Sequence, residues 1–417
     1  MKRPAPGSTK RVIVIGGGAA GMMAAARAAE CGAEVVLLEK TRTLGNKLRI
    51  SGRGRSNLTN LGEPEEFIAA YGPKGKFLIN CLARFSNHDS IEFFAQHGVK
   101  TVADADGRVF PASGNANEVA DCLVSHIKEQ AVKVRADFRV SAVLAEKGRV
   151  VGVRKGDGTL FGDAVILATG GKSYPKTGSD GDGYALAREL GHKIIRPRPA
   201  LVGLVVRERY IDQMQGVTCP DAQLTFLVGG RPFVRGRGAV LFTHFGLSGP
   251  AVLDASREVV LGLEQGPVLV RINLLPDYVA AALAQTLQKM FAGRGAKSVG
   301  NLVDQLLPRR IVPVVLRRAK IRSEKKCGDI MSAERTVLAR TVTGLEFTIA
   351  RSRPIEEAMV TSGGVALEAI DPKTLESKIV KGLFFCGEVI DIDGLSGGYN
   401  LQAAFSTGYV AGEHAAK

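Results

Sequence analysis

Several features are scarce or missing in this chain of 417 residues. Its six cysteines, at 31, 81, 122, 219, 327 and 386, include no CxxC pair. That spacing suggests neither a disulfide framework nor a zinc site, and a reducing cytoplasm is the expected compartment. The six histidines are equally scattered, so no metal cluster is expected. No window reaches the roughly 18–20 apolar residues of a membrane span. No repeat period runs through the middle of the chain. No aromatic stacking platform or RNA-binding motif accompanies its positive charge.

Charge and glycine are what the chain has in excess. The formal net charge is +15, which suits a cationic but unspecialised surface. The densest basic stretch, Arg309 to Lys326, is interrupted by apolar residues at 311, 312, 314, 315, 316 and 321. It therefore reads as an amphipathic surface element. Glycine numbers 50, well above the average share of about 7%, and it concentrates in short loops. A basic flank (Lys2, Arg3, Lys10, Arg11) precedes an apolar run from Val12 to Ala26, as in a secretory signal. Gly16, Gly17, Gly18 and Gly21 would break a signal helix, so another reading is needed.

Residues 1–10 read as a loose leader. Residues 11–16, RVIVIG, read as a buried strand, 19–32 as a helix ended by Gly32, and 34–39, EVVLLE, as a second buried strand. This order is a βαβ unit. Residues 43–60 read as a polar loop, 75–98 and 115–130 as helices, 132–155 as a hairpin or meander, and 164–168 as another buried strand. From 200 to 275 the pattern predicts short strand-like runs. Helices follow at 277–293 and 299–320, the second broken or kinked by Pro308 and Pro313. The buried-strand pattern returns at 382–386, before a glycine-rich loop and a last helix at 400–416. One domain is thus built from both chain ends around an insertion.

Gly16, Gly18 and Gly21 have the GxGxxG spacing of a dinucleotide loop. The first allows a tight turn, the second a close approach to pyrophosphate, and the third tight helix–strand packing. The helix start then offers free N–H groups to the anion. Glu39, at the end of the second strand, is placed to accept ribose hydroxyls and would repel a 2′-phosphate. These features fit FAD or NAD. A second glycine-rich helix start, Gly397-Gly398-Tyr399-Asn400, preceded by Gly387-Glu388-Val389, favours FAD. Such an N-terminus stabilises negative charge developing at the flavin N1–C2=O edge. Asp391 and Asp393 position that loop or the ribityl hydroxyls, or simply form its turn. The segment from Gly45 to Asn60 closes over the cofactor or is a solvated loop.

The chain resembles the BaiN/RdsA-type NAD(P)/FAD-dependent oxidoreductases, the YhiN-like flavoproteins. The segments VIVIGGGAAGMMAA, SGRGRSNLTN, GRVFPASGNANEV, ILATGGKSYPKTGSDGDGYALARELGH, FTHFGLSGPAVL, VTSGGVALEAI and FCGEVIDIDGLSGGYNLQAAFSTG carry the resemblance. It implies an α/β fold: a glutathione-reductase-like, FAD-binding Rossmann domain built from residues 1–195 and 355–417. A β-rich and helical substrate domain, 196–354, is inserted within it. FAD contacts are implied at Gly16, Gly18, Ala19, Ala20, Gly21, Glu39, Lys40, Lys47, Arg55 and Asn57. An adenine-side strand contact is implied at Val140 and a returning turn at Thr169 and Gly170. The C-terminal contacts fall at Gly387, Glu388, Gly398, Tyr399, Asn400 and Leu401. Family members usually read GGGRCN where this chain reads Gly52-Arg53-Gly54-Arg55-Ser56-Asn57. Ser56 carries no thiol, and Arg53 adds a charge where a small residue is usual.

The expected chemistry is hydride transfer between a small organic substrate and flavin N5, with O₂ or NAD(P)H completing the cycle. No second GxGxxG unit is visible, which favours oxidase-like or externally reduced chemistry. No acid–base dyad stands out. Thr243, Ser248, Tyr174, Lys172 and Tyr399 are candidates that a structural role explains better than a catalytic one, and His244 is a lone histidine. Two other classes compete: a tRNA-modifying flavoprotein, and a non-catalytic flavin or electron-transfer protein.

Overall fold

The computed structural model describes residues 9–417. Lys2, Arg3 and most of the predicted leader lie outside the described residues. The chain divides into two compact units. One comprises residues up to Arg198 together with Met359–Lys417. The other is Pro199–Ala358.

The first unit begins as the glycine spacing requires. Strand β1 (Arg11–Ile15) leads into helix α1 (Ala19–Glu30) and strand β2 (Glu34–Leu38). Val12, Ile13 and Val14 are fully buried, as expected of a β-branched run covered on both faces. Helix α2 (Asn87–Gln96), helix α3 (Ala116–Glu129), strand β3 (Lys133–Arg135) and strand β4 (Ala164–Leu167) follow. Strand β5 (Leu383–Phe385) and helix α4 (Tyr399–Ala416) come from the far end of the chain. The sheet order is β5-β4-β1-β2-β3, and every pairing is parallel. Ile13 stands beside Val36 on one side and Val165 on the other, and Ile166 stands beside Phe384. The C-terminal segment thus completes a sheet begun at residue 11. The edge strand β3 is exposed and basic, which discourages further strand pairing.

Two expectations in this unit need correction. Residues 75–98 are not one helix. A 3₁₀ stretch (Gly72–Leu78) and a short helix (Ile79–Arg84) end at Phe85, and Ser86 caps α2. Ser86 and Asp89 form a reciprocal capping box, a start signal inside the apolar pattern. Residues 132–155 are not one meander either. Lys133–Arg135 pairs with β2, while Ala142–Glu146, Arg149–Lys155 and Gly158–Phe161 form a separate antiparallel sheet.

The second unit is a closed six-stranded barrel with helices. Its strands run in the order 204–206, 246–248, 231–242, 218–228, 268–273 and 345–352. Residues 250–265 form a 16-residue helix, not the strand-like run expected. Pro250 occupies the first helical turn, where its missing N–H costs nothing. The predicted helix at 299–320 is two helices, Val299–Val303 and Val312–Arg318. Pro308 lies in the break, whereas Pro313 sits in a first turn and kinks nothing. The basic stretch is amphipathic as expected: Ile311, Val312, Val314, Val315, Leu316 and Ile321 are buried, and Arg309, Arg310, Arg317, Arg318 and Arg322 are exposed. Among the described residues no helix is long and apolar enough to cross a membrane.

Candidate cofactor site

Each glycine of the first motif has its own physical reason. Gly16 has φ +109°, and a Cβ there would lie 2.4 Å from the carbonyl oxygen of Ala168. Gly21 packs so tightly that a Cβ would come 1.9 Å from the Gly16 oxygen. Gly18 differs: a Cβ built there meets nothing within 4 Å. Gly18 immediately precedes α1, whose first N–H groups have no acceptor within the helix. That is the cradle a pyrophosphate needs.

Glu39 follows β2 and is nearly buried. Its Oε2 accepts a hydrogen bond from the Gly17 N–H at 2.7 Å. Its Oε1 accepts from the Thr41 N–H and hydroxyl at 2.8 and 2.9 Å. A carboxylate has about four acceptor positions, so it is held in place with capacity left for ribose hydroxyls. The Phe138 N–H donates to the Glu39 carbonyl at 2.8 Å and brings Val140 to the same edge. Val140 is buried but lies on a loop between strands, so the expected strand contact is corrected to a loop position.

The second helix start converges on the first. A Cβ on Gly408 would lie 2.4 Å from the Ala20 oxygen, and one on Gly412 2.3 Å from the Ala24 oxygen. Helices α1 and α4 therefore run parallel, with 20 against 408 and 24 against 412. In that register α4 starts about eight residues, or roughly 12 Å, before α1 does. Two positive helix ends thus point the same way at staggered depths. Gly387 has φ +72°, and a Cβ there would lie 2.7 Å from the Ala20 methyl. Gly398 caps α4 with φ +98° and packs on the Thr59 oxygen, 2.3 Å from where a Cβ would be.

The glycine-rich loop after β2 holds this second start. The Asn57 amide donates to the carbonyls of Thr59 and Val109 at 3.0 and 3.2 Å and accepts from the Gly398 N–H at 2.9 Å. Asn60 donates to the Gly397 carbonyl at 3.1 Å. Asn400 closes its own loop, accepting from the Gly394 N–H and donating to the Gly394 carbonyl, both at 2.9 Å. The Tyr71 hydroxyl donates to the Tyr399 carbonyl at 2.7 Å, and the Phe67 ring meets the Tyr399 ring edge-on. Leu401 is half-buried in the first turn of α4. Arg55 lies over the Phe110 ring at 4.2 Å.

Charged residues from distant parts of the chain meet here. Lys47 donates to Glu388 Oε2 at 2.5 Å and to the Ser173 hydroxyl at 2.6 Å. Glu388 Oε1 also accepts from the Thr361 N–H at 2.7 Å. Lys40 is paired with Asp180 and with Asp182, the latter at 3.0 Å. Thr169 and Gly170 follow β4 in an irregular segment, and Gly170 has φ +72°. Lys74 reaches Asp391 at 2.5 Å. Burial raises the Asp391 carboxyl above its usual range, against the pull of Lys74. Burial likewise pushes the Tyr184 hydroxyl well up. Ser173, Thr361, Lys74 and Tyr184 did not stand out in the sequence. Thr361 lies in the VTSGG segment, and Ser173 and Tyr184 in the segment ILATGGKSYPKTGSDGDGYALARELGH, but only as parts of the resemblance.

The proposed catalytic candidates fare differently. Lys172 is exposed, and Tyr174 has φ +53° in a tight turn. Thr243, His244 and Ser248 belong to the second unit, where the Thr243 hydroxyl donates to the Gly246 carbonyl at 3.0 Å. The expected scattering of histidines is corrected for one pair: the rings of His97 and His126 lie 4.4 Å apart.

Residues 10–414 match the HI0933-like protein Rossmann domain. The chain is 35% identical to a 3-dehydro-bile acid delta(4,6)-reductase of Clostridium scindens, over 98% of this chain and 99% of that one. It is 31% identical to a ribosomal RNA dihydrouridine synthase of Haemophilus influenzae, over 95% of this chain and 96% of that one. The fold is similar to that of a 3-ketosteroid-delta4-(5alpha)-dehydrogenase from Rhodococcus jostii, with a TM-score of 0.54, 18% identity and full coverage of both chains. The chain belongs to the HI0933-like Rossmann family, and it is an FAD-dependent oxidoreductase.

Proposed function

We propose that the protein reduces a carbon–carbon double bond conjugated to a carbonyl in a small organic substrate. The relatives' activities carry this reading. The two double bonds of a delta(4,6) 3-dehydro bile acid and the 5,6 double bond of uridine are alike conjugated to a carbonyl. Reduction adds a hydride to the carbon β to the carbonyl and a proton to the α carbon. NAD(P)H is the proposed source of the electron pair and leaves as NAD(P)⁺.

FAD bound here would, once reduced, supply a two-electron hydride donor at N5. The chain's own residues bind and orient it. The start of α1, with Gly16, Gly18, Ala19, Ala20 and Gly21, is assigned to the pyrophosphate, and Glu39 to the ribose. Val140, Thr169 and Gly170 are assigned to the adenosine side. Gly387, Glu388, Gly398, Tyr399, Asn400 and Leu401 are assigned to the flavin end, Asn400 through its backbone. Lys47 holds Glu388, and Asn57 holds Gly398, so both act as positioning groups. Lys40 and Arg55 complete the cofactor-facing set. Residues 199–358 are the part of the chain to which we assign substrate choice. Free thiols at all six cysteines suit a reducing cytoplasm.

A second reading is reduction of a uracil ring in RNA, favoured by the net charge of +15 and by the Haemophilus relative. One experiment separates the two. The flavin is reduced anaerobically with NADH or NADPH, then mixed with conjugated enones, including 3-oxo-Δ4 steroids, or with unmodified ribosomal RNA. The first reading expects flavin reoxidation by enones and a product carrying two added hydrogens by mass spectrometry. Reoxidation by RNA alone selects the second, and reoxidation by neither class refutes both.

A further inference from the structure

Three helices of the first unit end at one place. α1 ends at Glu30, α2 is closed by His97, and α3 carries His126 and Glu129 in its last turn. Helix C-termini carry partial negative charge and favour a cation. The His97 Nδ1 lies 2.8 Å from the Phe93 carbonyl, so that nitrogen carries the proton and Nε2 keeps a lone pair. The His126 Nε2 lies 3.0 Å from Glu30 Oε1, so Nδ1 keeps the lone pair there. The His126 side chain is only 5% exposed, and its Nδ1 has no hydrogen-bond partner among the described residues. Glu129 brings Oε2 to 3.8 Å from that Nδ1. This is too long for a hydrogen bond. It is near the separation of two atoms that each bind one ion at roughly 2.0–2.2 Å. One ligand atom from each of His97, His126 and Glu129 lies within 4.8 Å of the others.

We propose that His97, His126 and Glu129 bind one divalent transition-metal ion of the zinc type. Two neutral imidazoles and a carboxylate suit Zn²⁺, whereas Mg²⁺ and Ca²⁺ take oxygen ligands. Both rings already have the outer partners of a metal-bound histidine. Glu30 orients His126, the Phe93 carbonyl orients His97, and each fixes the tautomer that points a lone pair inward. The Phe93 ring walls the site, 4.4 Å from the His97 ring and 5.1 Å from that of His126. Three protein ligands leave a fourth position to water. The site is separate from the cofactor. The nucleotide glycines sit at the start of α1 and Glu30 at its end, 12 residues or roughly 18 Å along.

The test uses the FAD-loaded, tag-free protein, stripped with EDTA and titrated calorimetrically with zinc chloride. One ion per chain with submicromolar affinity is expected. Glu129→Ala, at an exposed position, weakens binding about 10-fold or more, as does His97→Ala. Glu30→Gln, a positioning change, weakens it about 10-fold. Flavin content and circular dichroism report that each variant is folded. Absence of zinc binding, or binding only at millimolar zinc, overturns the proposal. So does tight zinc binding that survives in the double variant His97→Ala, Glu129→Ala, which would place the ion on a thiol such as the exposed Cys31.

Discussion

Gly408 of α4 lies directly on the carbonyl of Ala20 in α1, and a Cβ there would sit 2.4 Å from that oxygen. The contact joins the two ends of the chain and fixes the stagger between two helix starts. In an isolated helix, Gly→Ala gains roughly 1 kcal/mol. Here the opposing atom is backbone and cannot swing aside, so overpacking of about 1–3 kcal/mol wins. Gly408→Ala is expected to lower the melting temperature and the flavin-to-protein absorbance ratio together. An unchanged ratio with a raised melting temperature would show that the helices have room to separate.

Glu39 is pinned by Gly17 and Thr41 on the protein side. Its replacement by alanine removes the acceptor we propose for the ribose and leaves the Gly17 N–H without its partner. Hydrogen bonds to charged groups contribute about 1.5–3 kcal/mol, or roughly 10- to 100-fold in affinity. Glu39→Ala should weaken FAD binding by that factor, measured by quenching of flavin fluorescence. Glu39→Gln, which keeps one acceptor oxygen, should lose less.

Arg53 sits at φ +59°, ψ +40°, a conformation that suits glycine. A non-glycine residue there costs about 1–2 kcal/mol, and the extra chain entropy of glycine returns about 0.5–1. Arg53→Gly should therefore stabilise the fold by roughly 0.5–1 kcal/mol, seen as a higher urea midpoint. A lower midpoint would show that the exposed guanidinium makes a compensating interaction.

The parts of this structure legible in the sequence are those whose cause is local. The GxGxxG glycines, the buried run at 11–15 and Glu39 carry their reasons within a few residues of themselves. So does the glycine-capped start of α4. The Lys47–Glu388 pair spans 341 positions, and no spacing rule joins residues so far apart. His97 and His126 looked scattered because they lie on different helices and meet only when those helices pack. The helix at 250–265 was obscured by Gly249-Pro250, which signals a turn as readily as a helix start. The break before α2 was legible in principle, since Ser86 and Asp89 have the spacing of a capping box. The apolar periodicity on either side outweighed it.

The far end of α4 gives the pH dependence. Glu413 accepts from Arg84 through both oxygens, at 2.9 and 2.8 Å, and from Lys417 at 3.0 Å. Burial alone would raise its carboxyl. The hydrogen bonds from Arg84 and Lys417, with their charges, overcome that and hold it at about 2, against 4.5 for an unperturbed glutamate. A carboxyl lowered by folding stabilises the native state above its unfolded value. That stabilisation is therefore complete above pH 4.5 and is lost as the pH falls toward 2. Arg84 is 54% exposed, so solvent screens the pair and its contribution is about 1 kcal/mol. Glu413→Gln should lower the urea midpoint at pH 7, and the gap from the parent protein should narrow steadily between pH 4.5 and pH 3. A gap independent of pH would assign the loss to packing rather than charge, because the amide and the protonated acid share one shape and differ from the carboxylate only in charge.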